Sequence, residues 1–201
     1  AYHLTKKGWR DVWVLEKDQL TSGTTWHAAG LIVSGLLTDE TSADIFTYSR
    51  DLYSRLEDET GLATGFKSIG YLQVACDEER LEEMRRSAAF MRNFGIDCRE
   101  ISVEEAQNYW PSANLDDVIA AFYTAEDGRA NPVDITMSLA KGARQRGALV
   151  KERIKVTGIA REGRRVTGVD WVSDSGSDTG HLACDMVVNC AGMWGHAVGR
   201  M

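Results

Sequence analysis

The stretch from Asp11 to Leu31 constrains the fold of this chain more than any other. It begins with a short apolar run, Val12 to Leu15, which is closed by the acid Glu16. A run this short with charged residues on both sides is typical of a buried strand in a parallel sheet rather than of a helix. An acid at the end of such a strand is where a nucleotide-binding βαβ unit holds a ribose hydroxyl. The stretch therefore favours a nucleotide-binding unit, although Glu16 alone fits a solvated acid after any strand equally well.

Small and hydroxyl-bearing residues follow this predicted strand. They form the string Thr21-Ser-Gly-Thr-Thr-Trp-His-Ala-Ala-Gly30, which contains a single histidine, His27. Residues of low bulk allow a ligand to approach the backbone closely. Considered alone, His27 is more simply interpreted as a histidine that is hydrogen-bonded in a turn.

This string closely resembles the flavin-attachment segment of the dimethylglycine and sarcosine dehydrogenases, members of the D-amino-acid-oxidase-like flavoproteins. A second string, Asn189-Cys-Ala-Gly-Met-Trp194, is similar to the turn that passes the cofactor pyrophosphate in the same family. The resemblance extends over nearly the whole chain in order and spacing. It implies a Rossmann-like FAD-binding domain.

The resemblance implies FAD contacts for fourteen residues. Glu16 and Lys17 would lie at the adenosine ribose, Val156 would contact the adenine, and Gly192 and Trp194 would close over the dinucleotide. The residues that would wrap the pyrophosphate and flavin are Gly23, Thr24, Thr25, Trp26, His27, Ala28, Ala29, Gly30 and Leu31. Of these, His27 would carry the FAD covalently through the 8α-methyl group. An ordinary core position remains the alternative for the two tryptophans.

The implied reaction is the oxidation of an N-methyl amino acid such as dimethylglycine or sarcosine. A hydride would pass from the N-methyl carbon to the flavin, and folate or water would capture the resulting iminium. The protein's task is to place that carbon against the cofactor, which supplies the chemistry. Two alternatives stay open: a non-catalytic relative similar to the pyruvate dehydrogenase phosphatase regulatory subunit, and a decayed reading frame. The presence of His27 favours the enzyme, and no catalytic residue is predicted.

Two parts of the family pattern fall outside the sequence. The glycine fingerprint of a dinucleotide site lies about 20 residues before the ribose acid, which places it upstream of Ala1. The rest of the substrate sheet and any folate-binding module would follow Met201. We therefore expect a fragment that lacks the first strand and the glycine turn and is inactive alone.

Helix and strand patterns alternate along the chain and predict an α/β fold. The order of the patterns predicts a discontinuous FAD-binding domain at residues 1–64 and 131–201. Residues 65–130 would be part of an inserted α+β substrate domain.

Capping residues predict where several helices begin. We expect helices after Asp39, Asp77, Ser102 and Asn131. Apolar residues at helical spacing predict the core-facing positions of three of them. These positions are Ile45, Tyr48, Leu52 and Leu56 in the first, Leu81, Met84, Ala88 and Met91 in the second, and Val133, Met137, Ala140 and Ala143 in the last.

Runs rich in β-forming residues predict further strands. They cover Ile69–Ala75, Val118–Tyr123, Ile154–Ile159, Arg165–Val172 and the segment from Asp185 into the turn at Gly192. The polar segment Ser173–Gly180 predicts a flexible loop. Since open parallel sheets bind ligands at the carboxyl ends of their strands, we expect the site after Leu15, Val156 and Asn189.

Composition excludes several classes of function. A net charge of -7 disfavours a nucleic-acid partner, and no apolar stretch approaches the ~20 residues that span a bilayer. Four scattered cysteines predict a reducing compartment and no structural zinc site. The resemblance therefore implies a bacterial cytoplasmic or a mitochondrial matrix protein, with an electron acceptor that the sequence does not specify.

Overall fold

The computed structural model of the chain describes residues 1–34 and 39–201. Within these ranges, the α-helices are α1 (Tyr2–Lys6), α2 (Glu40–Thr60), α3 (Glu78–Arg92), α4 (Val103–Tyr109), α5 (Pro132–Gln145) and α6 (Gly195–Gly199). None of the described helices combines the length and the apolar character needed to cross a membrane.

The described strands pair in four short sheets. In chain order the strands are β1 (Trp13–Leu15), β2 (Leu31–Ile32), β3 (Lys67–Ser68), β4 (Tyr71–Ala75), β5 (Cys98–Ile101), β6 (Ala120–Thr124), β7 (Gly128–Arg129), β8 (Leu149–Lys151), β9 (Ile154–Glu162), β10 (Arg165–Ser173) and β11 (Thr179–Ala183). The sheet orders are β1-β8, β11-β10-β9, β2-β7-β3 and β4-β6-β5.

The first of two compact units comprises Ala1–Ala28 and Thr136–Met201. In this unit β1 pairs in parallel with β8, and β9 and β10 form an antiparallel hairpin. The predicted strand before Glu16 is therefore confirmed. The prediction that this strand is buried is wrong, since Trp13 is 39% exposed. A parallel strand is buried when neighbouring elements cover both of its faces. Among the described strands, β1 pairs only with β8.

The second compact unit comprises Ala29–Ile135. Its main core packs α3 against the β4-β6-β5 sheet. The buried residues of this core are at most 6% exposed and include Leu81, Met84, Ala88, Met91, Ala75, Cys98 and Phe122. The predicted buried positions of α3 are confirmed. Neighbouring residues of a strand point to opposite faces, so Ala121 packs instead with Ala106 of α4. Burying each large side chain stabilises the fold by about 1.5–3 kcal/mol.

The predicted helix starts are confirmed by hydrogen bonds. In α2, α3, α4 and α5 the capping side chain accepts a hydrogen bond from a backbone amide two or three residues later. The capping residues are Asp39, Asp77, Ser102 and Asn131. A cap of this kind contributes about 1 kcal/mol.

Three predicted core positions on helices are wrong. On α2, Ile45 is 57% and Tyr48 is 45% exposed. Residues seven apart share a helix face, so Ile45 lies on the same face as Leu52. Described residues cover this face at Leu52 and Leu56 but leave it exposed at Ile45. On α5, the buried positions include Ser138, and Met137 is 37% exposed.

The segment from Asp185 to Ala191 is not a strand, contrary to the prediction. Its apolar residues Met186 and Val188 are 59% and 64% exposed. A sequence that favours β structure becomes a strand only where a neighbouring strand offers its hydrogen-bonding groups, and no described strand pairs with this segment. Part of the predicted flexible loop instead begins β11, which pairs with β10.

The boundaries of the two compact units differ from those of the predicted domains. The units divide after Ala28 and after Ile135, whereas the prediction divides the chain after residues 64 and 130. Thr38, which the sequence places before the cap of α2, lies outside the described residues. The assignment of FAD and substrate binding to particular domains stays a prediction.

Candidate functional site

Glu16 follows β1 directly, where its backbone joins two other segments of the first unit. Its amide donates to the carbonyl of Lys151 at 2.9 Å, and its carbonyl accepts from the amide of Ile154 at 2.8 Å. One carboxylate oxygen accepts from the amide of Asp18 at 2.9 Å. A carboxylate has about four lone-pair positions, so Glu16 retains capacity to accept a hydroxyl hydrogen bond.

Lys17, Gly23 and Trp194 come together in the first unit. The ammonium nitrogen of Lys17 lies 3.3 Å from the centroid of the Trp194 ring, a cation–π contact. A Cβ atom on Gly23 would lie 3.7 Å from Cζ3 of the same ring. Trp194 is 41% exposed. The alternative interpretation from the sequence, a tryptophan packed in the core, is therefore wrong for Trp194.

Trp26 and His27 lie in the 3₁₀ turn Thr25–His27. The amide of His27 donates to the carbonyl of Thr24 at 3.2 Å, and the two rings are 3.7 Å apart at 34°. Both side chains are exposed, Trp26 by 59%, so Trp26 is not a core aromatic. Among residues 1–34 and 39–201, the imidazole of His27 has no hydrogen-bond partner. The alternative interpretation, a turn histidine with a hydrogen-bonded side chain, therefore does not describe His27.

The turn at Gly192 is organised by Asn189. Its side-chain oxygen accepts from the amide of Ala191 at 3.2 Å, and its side-chain nitrogen donates to the carbonyl of Gly195 at 2.8 Å. Gly192 has a φ of 53°, and nothing lies within 4 Å of the Cβ position there. The sequence identifies this turn but assigns no role to Asn189.

Val156 lies within β9, where it pairs with Trp171 of β10. The expectation that Val156 ends a strand is wrong, because β9 continues to Glu162. The start of β9 nevertheless lies beside Glu16, the residue predicted to contact the ribose, since the amide of Ile154 donates to the carbonyl of Glu16.

Ala29, Gly30 and Leu31 belong to the second unit. Gly30 has a φ of 73°, and a Cβ atom there would collide with the carbonyl oxygen of Ala130. Leu31 is in β2 and is 58% exposed. The close approach of the Ala130 backbone therefore requires a glycine at position 30. The sequence interpretation attributed the small residue to a nearby ligand.

Glu152 is a structural residue that sequence reasoning missed. Its carboxylate accepts from the amide of Leu20 at 2.7 Å and lies 3.9 Å from the guanidinium of Arg144. It thereby holds the loop between β1 and the 3₁₀ turn. The contact joins residues 132 positions apart, so no local pattern could have indicated it.

A comparison with protein families identifies the family to which the chain belongs. A family model described as DAO, FAD dependent oxidoreductase, matches residues 1–201. This chain belongs to that family. The resemblance stated from the sequence is confirmed.

Relatives and a solved structure agree with the DAO family. The chain is 38% identical over 201 residues to human mitochondrial sarcosine dehydrogenase, covering 100% of this chain and 22% of the human protein. Rat mitochondrial dimethylglycine dehydrogenase is 36% identical over 204 residues, covering 100% and 23%. The mouse mitochondrial pyruvate dehydrogenase phosphatase regulatory subunit is 33% identical over 199 residues, covering 99% and 22%. The chain thus spans about a fifth of the length of these relatives.

The solved structure of L-proline dehydrogenase from P. horikoshii has a TM-score of 0.89 to this chain. It is 28% identical, and the match covers 100% of this chain and 51% of that chain. The predicted α/β flavoprotein fold is confirmed by this match.

The first-unit side chains that are predicted to contact FAD have the chemical groups that this cofactor of the DAO family requires. Glu16 has a carboxylate that can accept hydrogen bonds from hydroxyl groups, Lys17 has a positive charge, and His27 has an exposed imidazole. Gly192 leaves the space of its missing side chain open. These properties suit a dinucleotide with an anionic pyrophosphate. The assignment of individual residues to parts of the cofactor stays a prediction.

Other features of the described residues offer no comparable site. The four cysteines are free, and burial raises the pKa of the Cys98 thiol, which makes that thiol less reactive. The described residues contain no group of three or more side chains with the arrangement of a metal site. A shallow depression beside Arg165 and Cys184 contains none of the predicted FAD residues.

Proposed function

We propose that the protein containing this chain oxidises an N-methyl amino acid of the sarcosine or dimethylglycine type. In this proposal FAD is bound covalently by His27. The observation that carries it is the exposed imidazole of His27, at the position where the resemblance implies the link. The 38% identity to sarcosine dehydrogenase and the 36% identity to dimethylglycine dehydrogenase support the substrate class.

The residues of the first unit would hold the two ends of the cofactor differently. Glu16 would accept hydrogen bonds from the ribose hydroxyls. The ammonium group of Lys17, which now contacts the Trp194 ring, would approach the negative charge of the cofactor. The Trp26 ring lies 3.7 Å from the His27 ring at a tilt of 34° and would restrict the orientation of the imidazole during attachment. FAD, when bound, supplies the hydride acceptor. Val156, Gly192 and the residues from Gly23 to Leu31 would complete its surroundings.

The proposed link balances with dioxygen as the oxidant. The imidazole of His27 would lose its N–H proton and form one C–N bond to the 8α carbon, which would lose one hydrogen. The two hydrogens and two electrons leave with dioxygen as hydrogen peroxide. An imidazole nitrogen must be neutral to act as the nucleophile.

A regulatory function is the second candidate. The 33% identity to the mouse pyruvate dehydrogenase phosphatase regulatory subunit favours it. A protein without turnover has no need for a covalent flavin link, so the histidine in the Thr-Thr-Trp-His string supports the enzyme instead.

The proposal extends to the surroundings of the enzyme. Relatives named as mitochondrial support a matrix location in a eukaryote, and a bacterial protein would be cytoplasmic. A folate partner would require a module beyond Met201. The substrate would be a small N-methyl amino acid, and neither nucleic acid nor a membrane span is part of the proposal.

Acid precipitation of the complete gene product tests the proposal. We expect a yellow pellet from the natural protein, a colourless pellet from His27→Ala, and a yellow pellet from the control His181→Ala, which removes an exposed histidine of β11. Adding sarcosine or dimethylglycine without oxygen should bleach the native flavin. A colourless wild-type pellet would contradict the link, and a yellow protein that neither substrate bleaches would favour the regulatory candidate.

A further inference from the structure

The side chain of Asn189 encloses the 3₁₀ turn Gly192–Trp194. Its oxygen accepts from the amide of Ala191 at 3.2 Å, and its nitrogen donates to the carbonyl of Gly195 at 2.8 Å. These two partners directly precede and directly follow the turn in the sequence. Within the turn, the amide of Trp194 donates to the carbonyl of Ala191 at 2.9 Å. One side chain therefore holds the turn at its start and at its end.

The composition of this region makes such a support necessary. No described strand pairs with residues 185–191, which lead into the turn. Glycine loses more conformational freedom on folding than any other residue, and Gly192 and Gly195 belong to the turn and its end. The amide of Asn189 also lies against α6, since Cβ atoms on Gly195 and Gly199 would lie 3.7 Å and 3.9 Å from it. Asn189 thus joins the extended segment to the start of α6.

The turn determines where the Trp194 ring lies within the first unit. The ring is 3.3 Å from the ammonium nitrogen of Lys17, measured to the ring centroid. A Cβ atom on Gly23 would lie 3.7 Å from the same ring. Lys17, Gly23 and Trp194 all belong to the first compact unit, as does Asn189. Asn189 therefore supports a contact between two separate parts of the predicted cofactor site.

We propose that Asn189 is a positioning residue for the binding of FAD, a role that rests on the function proposed above. Asn189 acts through Trp194, because closing the turn keeps the indole ring beside Lys17 and Gly23. A side chain that is already held in place loses less conformational entropy when a ligand binds. In this role Asn189 itself contacts no reacting atom.

The first test asks whether Asn189 holds the ring, in the complete gene product prepared without flavin. Acetic anhydride at low dose acylates exposed lysines. Trypsin does not cleave after an acylated lysine, so the peptide from Asp11 to Arg50 reports the reaction at Lys17. Trp194→Ala removes the ring and should raise the rate at Lys17 by about two- to fivefold, the factor expected for an exposed cation–π contact.

Asn189→Ala should raise the acylation rate of Lys17 as far as Trp194→Ala does. Asn189→Asp keeps the acceptor for the Ala191 amide and should cause a smaller increase. The matched control is Asn114→Ala, because Asn114 is also exposed and its side chain accepts from the amide two residues later at 3.0 Å. That control should keep the wild-type rate. A wild-type rate in Asn189→Ala or in Trp194→Ala would overturn the proposal.

The second test measures the Kd for FAD in the His27→Ala background, where the proposed link cannot form. We expect Asn189→Ala to weaken the Kd by about tenfold, as the loss of its two hydrogen bonds predicts. In a protein that also carries Trp194→Ala, the further change from Asn189→Ala should be less than about threefold, because the two residues act as a unit. Asn114→Ala should leave the Kd unchanged.

Equal weakening of the Kd with and without the Trp194 ring would overturn the positioning role, since a general loss of stability does not depend on that ring. An unchanged Kd in Asn189→Ala would overturn it as well. Failure of the proposed function gives a different result. If the wild-type protein binds FAD without an acid-stable link, only the covalent link is wrong, and the Kd values still decide the role of Asn189. A wild-type protein that binds no FAD overturns both proposals.

Discussion

The two halves of the stretch from Thr21 to Ser34 are held in opposite ways. Residues 21–28 are mostly exposed, and short-range bonds such as that from the His27 amide to Thr24 shape them. Residues 30–34 depend on partners almost a hundred positions away, including Ala130 and Asp127. The half that carries the proposed chemistry is thus accessible, while the half that follows it is anchored by long-range contacts.

This difference matches what the proposed function requires of each half. A nucleophile must reach its target, which favours exposure, and it must be held near one geometry, which favours a rigid neighbour. Exposed turns supply little rigidity of their own. The comparison therefore predicts that substitutions in residues 30–34 affect stability, whereas substitutions in residues 21–28 affect flavin attachment.

Gly30→Ala should give the largest loss of stability. The new Cβ meets the carbonyl of Ala130 while φ is 73°, so we expect destabilisation by about 3 kcal/mol from backbone strain and overpacking combined. Urea unfolding measures the change. Gly95→Ala is the matched control, because its φ is 75° with nothing within 4 Å of the Cβ position, and it should lose only about 1 kcal/mol. Equal losses would show that the close approach to Ala130 carries no energy.

Ser34→Ala should have the next largest effect. It removes a buried hydroxyl bonded to the buried carboxylate of Asp127, which predicts a loss of about 2 kcal/mol. Ser42 makes the same pair of bonds, from its amide and its hydroxyl, to Asp39 at the exposed start of α2. Ser42→Ala should therefore cost less than about 1 kcal/mol. If the two variants unfold at the same urea concentration, burial does not distinguish the two serine–aspartate pairs.

The exposed pair of Ser42 and Asp39 should also respond to acid. Hydrogen bonds from the Ser42 side chain and backbone lower the pKa of Asp39 below its ordinary value. Because the folded pKa is the lower one, this stabilisation is present above the unfolded pKa and is lost as the pH falls through the folded pKa. Asp39→Asn should weaken the acid dependence of unfolding below about pH 4. An unchanged acid dependence in Asp39→Asn would argue against a role for the exposed pair.

The smallest change in stability is expected from Trp26→Ala and His27→Ala. Both side chains are exposed, so each substitution should change the free energy of unfolding by less than about 0.5 kcal/mol. Thermal unfolding of the flavin-free protein checks this. A large loss of unfolding free energy in either variant would mean that residues 21–28 contribute to stability. It would contradict the proposed difference from residues 30–34.

Local signals predicted the parts of the fold that local interactions determine. Asp77 and Ser102 cap the helices that follow them, and the spacing of Leu81 and Met84 identified the buried face of α3. These features arise within one or two helical turns, so a single sequence contains them.

The errors concern residues whose environment depends on distant parts of the chain. The segment around Val188 has strand-forming residues but no described strand beside it, and Ile45 lies on a helix face that described residues leave uncovered. The pairing of Ser34 with Asp127 joins residues 93 positions apart. Motif resemblance selected His27 and Trp194 as predicted cofactor residues, but it contained no signal for the pairing of Ser34 with Asp127.

Peptide mass spectrometry of the complete, FAD-loaded gene product tests the central claim most directly. Trypsin should release the peptide from Asp18 to Arg50, which contains one histidine, His27. We expect this peptide to carry the added mass of FAD less two hydrogen atoms, with fragment ions that place the addition on His27. An unmodified peptide from a protein that nevertheless contains FAD, or an addition on another residue, would contradict the account.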